Sequence, residues 1–142
     1  MSLTFILVLL TFYIHLMTLK GLNNFLPHTA ISNYNQVLII VIVLFIAHLF
    51  EISIYAIIYK LAIEFLNIGS LVGEPINNFM EYLYYSIVMY TSLGLGDVYP
   101  VGHIRFITGV EALNGLMLIT WSASFTFLAM KRLWPWQDPC SK

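Results

Sequence analysis

Charge is what this sequence has least of. Asp, Glu, Lys and Arg make up 9% of its 142 residues, against roughly 25% in soluble domains. With 60% hydrophobic residues beside so little charge, a soluble domain of ordinary composition is excluded, and the chain reads as a membrane protein. No polar block is long enough to form a separate soluble domain. Basic residues are in no excess: 6 Lys and Arg stand against 7 Asp and Glu, a net charge of −1. That argues against a nucleic-acid partner, which needs a basic face. Cysteine is nearly missing. Cys140 alone cannot form an internal disulfide, and there is no C-x-x-C or Cys/His metal spacing. The hydrolase motifs G-x-S-x-G and H-E-x-x-H are absent, as is the arginine ladder of a voltage sensor. There is no internal repeat and no low-complexity tract.

What the chain does have is apolar runs. Leu3 to Leu19 reaches roughly 26 Å as a helix, enough to span. A cleaved signal peptide would need a basic start and a small-x-small cleavage site. Met1-Ser2-Leu3-Thr4 and Met17-Thr18-Leu19-Lys20 offer neither, so residues 1–22 read as a retained transmembrane helix. Lys20-Gly21-Leu22-Asn23-Asn24, then Pro27, read as a break and a loop. A second segment runs from Gln36 to Tyr59 and on towards Leu66. Asn67 to Pro75 is a turn-rich linker. The last segment, Ile104 to Met130, is ~40 Å long as a helix and must tilt or protrude. It closes on Lys131-Arg132 and Trp134-Pro135-Trp136, the pattern of a cytoplasmic boundary, with residues 132–142 as a short cytoplasmic tail. That orientation puts Lys20, Lys131, Arg132 and Lys142 inside, Lys60 and Arg105 outside, and the N-terminus outside.

Between the second and last segments lies a different kind of stretch. From Phe79 to Thr91 a helix would reach roughly 20 Å, too short to cross ~30 Å of hydrocarbon. It ends in Thr91-Ser92-Leu93-Gly94-Leu95-Gly96-Asp97-Val98-Tyr99-Pro100, where glycine at alternate positions permits positive φ. Alternating ordinary and positive-φ residues turn successive carbonyls to one side. A short apolar helix ending in such backbone has to be re-entrant, since irregular backbone survives at membrane depth only when protein buries it or water lines it. The helix's C-terminal end, partly negative, points at the glycines and favours a cation there.

This stretch resembles the selectivity filter of the bacterial potassium-channel pore-domain family, the two-transmembrane ion channels. Ser92-Leu93-Gly94-Leu95-Gly96-Asp97 stands where that family usually shows Thr-Val-Gly-Tyr-Gly-Asp. The resemblance covers about residues 37–131. It implies an all-α membrane protein of outer helix, re-entrant pore helix and filter loop, and inner helix. Here the pore domain occupies residues 36–131, and one additional transmembrane helix precedes it. It also implies a homotetramer in the lipid bilayer, four units around one pore, which passes potassium passively in a bacterial cell membrane with no cofactor. By that resemblance Thr91 to Asp97 form the filter. Ser92, Leu93, Gly94 and Leu95 supply the oxygens that hold potassium, and Tyr84 and Tyr85 are the aromatic cuff. Thr91 and Ser92 are the paired hydroxyls at the inner end, Asp97 is the cap aspartate, and Gly115 is the inner-helix hinge. Glu111 to Leu116 and Trp121 to Phe125 are similar in wording to small bacterial members.

The sequence departs from the pattern at three places. Leu95 lacks the tyrosine hydroxyl that ties a filter to its cuff, although some two-pore-domain filters share Gly-Leu-Gly. Ser92 keeps an oxygen but loses the stiff rotamer of threonine. Val88 stands where some members carry a glutamate paired to the cap aspartate. These changes imply a softer filter that conducts poorly or admits some sodium.

The remaining polar residues have two readings each. Gly115 serves as a hinge or as a close-packing site. Ser122, Ser124 and Thr126 line an inner cavity or satisfy themselves on i−4 carbonyls. His48, Glu51, Glu111 and Asn114 form a buried polar cluster behind the filter, either structural or sensitive to pH. Counting by helix rise puts His15 near the inner end, His48 at mid-membrane and His103 in the outer loop. Their heights then differ by ~10 Å or more, which argues against the alternative of a bis-histidine haem protein. A non-conducting accessory subunit is the other alternative.

Overall fold

The computed structural model describes residues 2–76 and 78–134. Among the described residues three helices are long and apolar enough to cross a membrane: α1 (Ser2–Phe25), α2 (Asn33–Glu64) and α4 (Ile104–Leu133). The expected tail begins later than residue 132, since Arg132 and Leu133 still belong to α4, and residues 135–142, with Trp136, Cys140 and Lys142, lie outside the described residues. Each long helix buries one stripe. In α1 the stripe is Leu7, Thr11, His15, Leu19 and Leu22. In α2 it is Ile40, Leu44, Glu51, Tyr55, Tyr59 and Ala62, and in α4 it is Ile104, Thr108, Glu111, Gly115, Leu118 and Ser122. Spacings of three and four keep each stripe on one face. The other faces expose Phe5, Leu9, Phe45, Phe50, Leu113 and Phe127. A lipid environment accepts that apolar surface, so the helices are held together by packing and by the polar groups on their inward stripes.

The break after the first helix falls later than expected. α1 runs through Lys20 and Gly21 to Phe25, and a 3₁₀ turn at Leu26–His28 follows, with Pro27 inside it. An interior glycine weakens a helix by about 1 kcal/mol. Here Leu19, Leu22 and Leu26 pack against Ile40 and Leu44 of α2, and that contact carries the helix through Gly21.

The linker after α2 is also more regular than its turn-rich composition suggests. It contains a strand, β1 (Gly69–Gly73), which pairs antiparallel with β2 (Val98–Gly102). The register sets Gly69 against Gly102, Leu71 against Pro100 and Gly73 against Val98. A two-stranded ribbon has only edges, and an edge tolerates Pro100, which has no N–H to donate. This ribbon is the one addition to the expected all-α membrane architecture.

The ribbon pins the re-entrant segment. α3 (Phe79–Tyr90) has 12 residues. Its N-cap Asn78 accepts the Met80 N–H at 2.8 Å, satisfying a donor that the first turn leaves orphaned. At its far end the Tyr90 hydroxyl bonds Glu51, in the middle of α2. The chain then turns back to β2, whose last residue pairs with the start of β1, close after α2. It therefore enters and leaves at one end of the helices and reaches their middle. The opposite end is marked by the Asn33 amide, which donates to the Leu133 carbonyl at 2.7 Å. The end of α1 lies there too, with Phe125 and Ala129 of α4 against the same leucine cluster.

Candidate functional site: the re-entrant loop and the polar seam behind it

The loop follows directly from the helix that carries it. The last turn of α3 is closed by Thr91 N–H to Ile87 O at 3.1 Å, Ser92 N–H to Met89 O at 2.9 Å and Leu93 N–H to Val88 O at 3.0 Å. The Thr91 hydroxyl also donates to Ile87 O, at 2.7 Å. Beyond that point φ is positive at every second residue: +57° at Ser92, +57° at Gly94 and +82° at Gly96. The alternation expected for the two glycines therefore begins one step earlier, at a serine. A β-branched threonine at that φ would be a strong outlier, so serine suits the conformation at 92. Thr91 to Asp97 are all exposed on the single chain, at a level set by Tyr90 to the middle of the helices.

Asp97 ends the loop. Its Oδ2 accepts the Tyr84 hydroxyl at 2.5 Å and its Oδ1 accepts the Val98 N–H at 3.0 Å. These bonds, the tyrosine's first, hold the carboxyl below its usual range. Leu95 is exposed and Val88 is buried, and Tyr84 supplies a tether that the sequence reading did not assign to it. Tyr85 turns the other way. It is buried, its hydroxyl lies 2.9 Å from Thr108 Oγ1 on α4, and its ring meets Tyr59 edge-on at 5.0 Å. The two tyrosines read as a cuff therefore divide between loop and scaffold.

Gly115 lies against the end of α3. A Cβ there would stand 2.1 Å from the Tyr90 carbonyl oxygen and 2.8 Å from its Cγ. That contact is the one the close-packing reading of Gly115 calls for.

Behind the loop the buried polar residues form three groups rather than one. Glu111 accepts the Ser86 hydroxyl at 2.6 Å and the Tyr59 hydroxyl at its other oxygen. Asn114 donates to Thr11 Oγ1 at 2.8 Å and to the Tyr55 oxygen at 3.1 Å, while its own Oδ1 has no partner among the described residues. The third group joins His15, His48, Glu51, Tyr90 and Ser122. His15 Nδ1 is 3.0 Å from Glu51 Oε1, and His48 Nδ1 is 3.2 Å from Glu51 Oε2. Ser122 Oγ lies 3.1 Å from His15 Nε2 and 2.9 Å from His48 Nε2. Tyr90 donates to Glu51 Oε2 at 2.5 Å.

Two expectations are corrected here. His15 and His48 lie at one level, not ~10 Å apart by helix rise: their ring centroids are 5.2 Å apart. Helix rise fixes height along one helix, but not how far one helix is displaced along the next. The haem reading gains nothing from this, because two rings so close, sharing one serine, leave no room for a porphyrin between them. Ser122 neither lines a cavity nor bonds its own helix, being turned into this group, whereas Ser124 does donate to the Thr120 carbonyl at 3.0 Å. The sequence reading missed His15, Tyr90, Ser86, Tyr59, Tyr55 and Thr11 as members of the seam. One signal was available: Thr4, Thr11 and His15 fall at i, i+7 and i+11, a polar stripe on one face of an apolar helix.

Comparison with protein families matches residues 38–132 to a family described as ion channel. The chain belongs to this ion-channel family. The matched range runs from the first turns of α2 to the end of α4 and contains the whole re-entrant segment; α1 lies before it. The family is one of ion channels, not enzymes. No curated protein and no solved structure matches the chain.

Proposed function

We propose that this ion-channel chain forms a homotetrameric pore that passes potassium down its gradient across the cell membrane, with residues 91–97 as the selectivity filter. The observation that carries the reading is the alternation of positive φ at Ser92, Gly94 and Gly96 in a segment exposed on the single chain yet held at mid-helix level. Non-helical backbone at that depth has to be covered by protein or face water. Copies of the same segment meeting on one axis meet both requirements, and their carbonyls replace the ion's hydration shell. Leu93, Gly94 and Leu95 supply backbone oxygens, and Ser92 adds its hydroxyl at the inner end. One chain holds a quarter of such a site, so conduction requires assembly.

The parts around the filter serve this reading. The C-terminal end of α3 directs its partial negative charge at the ion path. Glu74, Glu81 and Asp97 line one hollow beside Tyr84, and acidic groups at a mouth concentrate cations. Tyr84 holds Asp97 in place of the glutamate that some members carry. Gly115 lets α4 close on Tyr90.

The test is purified protein in lipid vesicles under a potassium/sodium gradient. We expect a potassium current with a reversal potential nearer the potassium than the sodium equilibrium value, from particles of four chains. Flux no greater than in empty vesicles, or particles in which the 91–97 segments do not converge, overturns the reading and leaves an accessory subunit in its place.

A further inference from the structure

The group formed by His15, His48, Glu51, Tyr90 and Ser122 has no part in conduction as proposed above, and it gathers two imidazoles around one buried carboxylate. Four ring nitrogens must be supplied. If both imidazoles are neutral and carry their proton on Nδ1, each donates towards Glu51, His48 with Tyr90 as a second neighbour, and both Nε2 atoms then need a proton from Ser122. A serine hydroxyl has one. If both carry the proton on Nε2, Ser122 Oγ accepts both with its two lone pairs, at 3.1 Å and 2.9 Å. Both Nδ1 lone pairs then face the Glu51 carboxylate, at 3.0 Å and 3.2 Å. In the mixed state, with the proton on Nδ1 of His15 and on Nε2 of His48, Ser122 donates to one ring and accepts from the other, and the His48 Nδ1 lone pair is left 3.2 Å from the Glu51 carboxylate, where a cation can sit. Glu51 is fully buried inside a spanning helix, and no Lys or Arg pairs with it among the described residues.

We infer that His15, His48 and Glu51 form a binding site for a divalent transition metal of the zinc class, which fastens α1 to the pore domain. Two imidazoles and one carboxylate are a ligand set that zinc takes. One donor atom from each of the three residues lies within 4.8 Å of the others. Tetrahedral ligation at ~2.0–2.1 Å sets ligand atoms about 3.3 Å apart; the two imidazoles lie 3.0 Å and 3.2 Å from different oxygens of Glu51, so one ring shifts towards the oxygen that the metal takes. The outer shell fits as well. A ligating histidine donates its other N–H to a neighbour, and Ser122 stands ready to accept from both. The Tyr90 hydroxyl orients the Glu51 carboxylate and lies 2.9 Å from His48 Nδ1. His15 comes from α1, outside the family match, while the other two ligands come from α2 inside it. Tyr90 immediately precedes Thr91, so the metal ties the additional helix to the base of the loop. The site does not depend on whether the loop conducts.

The test uses the tag-free full chain in detergent, stripped with a chelator, loaded with zinc chloride and desalted. We expect elemental analysis to find about one zinc per chain, a fall to background in His15→Ala, and no change in His103→Ala, which lies outside the cluster. Background zinc in the parent, the result if an extra proton neutralises the cluster, overturns the proposal, as does unchanged zinc in His15→Ala. A second measurement guards against a variant that fails to fold. Cobalt chloride should give the parent the visible bands of a tetrahedral ion, and His48→Cys should add a thiolate-to-cobalt charge-transfer band absent from the parent. A parent without the visible bands, or a His48→Cys protein without the added band, also overturns it.

Discussion

The Tyr90 carbonyl oxygen lies 2.1 Å from where a Cβ on residue 115 would sit, so α4 and the end of the pore-entering helix touch backbone to backbone at this point. Gly115→Ala must push the two apart. Overpacking of this kind costs about 1–3 kcal/mol, and the displacement falls on the residue just before Thr91. Gly109 is the control, since nothing lies within 4 Å of a Cβ there. In that helix interior alanine is favoured by about 0.5–1 kcal/mol. Thermal unfolding in detergent should show Gly115→Ala destabilised and Gly109→Ala unchanged or raised. A Gly115→Ala protein of parental stability with altered gating would instead make the glycine a hinge.

The Tyr84–Asp97 bond predicts a pH dependence. The tyrosine hydroxyl is the main cause holding the Asp97 carboxyl below its usual range. A depressed folded-state value means that the tether is intact above the ordinary carboxylate value and is lost as pH falls through the lowered one. Tyr84→Phe removes that cause, so Asp97 should take up its proton at higher pH. Potassium flux into vesicles, measured against outside pH, should lose activity in acid at a higher midpoint in Tyr84→Phe than in the parent. Coincident midpoints would separate Asp97 from the stability of the loop.

How much of this could be read from the residues differs from part to part. The re-entrant segment was legible because two simple quantities, the length of an apolar helix and the alternation of glycine, each restrict the backbone severely. The β1–β2 ribbon was not. Gly69, Gly73 and Pro75 read as turn chemistry, and five-residue strands in such company give no periodic signal. The level of His15 was misread for another reason. Helical periodicity fixes the face on which a residue lies, but not how far one helix slides along the next. α2 has 32 residues, more than a bilayer needs, so distances counted from helix ends do not compare between helices. Tyr59 and Tyr90 sat in the sequence as apolar bulk, and Tyr85 as part of a cuff. Their hydroxyls gain partners only because buried polar groups must find them, and those partners come from other helices.

The Glu111 cluster predicts coupling. Glu111 is fully buried, and Ser86 and Tyr59 both donate to it from different helices. Removing one partner leaves a buried acceptor unmet, at about 1–3 kcal/mol. Ser86→Ala and Glu111→Gln should each destabilise the protein, and the double variant by less than the sum. The interaction term should be about 0.5–3 kcal/mol, read from unfolding midpoints in detergent. Simple additivity would mean that the two side chains do not share a bond. The same Glu111→Gln protein decides whether this group senses pH, since a role in sensing requires the flux–pH curve to differ from the parent's.

Glu74 tests whether the acidic hollow beside Tyr84 serves the ion path. It lines that hollow with Glu81 and Asp97, and its N–H donates to the Asp97 carbonyl at 3.2 Å through the backbone, so changing the side chain leaves that bond in place. An exposed charge acts on permeant cations over the Debye length, about 30 Å in 0.01 M salt and about 3 Å in 1 M. Glu74→Gln should therefore lower single-channel conductance in dilute potassium and leave it nearly unchanged in concentrated potassium. Glu74→Lys should do the same more strongly, because it replaces attraction with repulsion. A structural role for Glu74 would lower conductance equally at both concentrations, and an ion path that avoids this face would leave both unaltered. Recordings at two potassium concentrations separate the three outcomes, and only a deficit that disappears with added salt agrees with a cation mouth at this hollow.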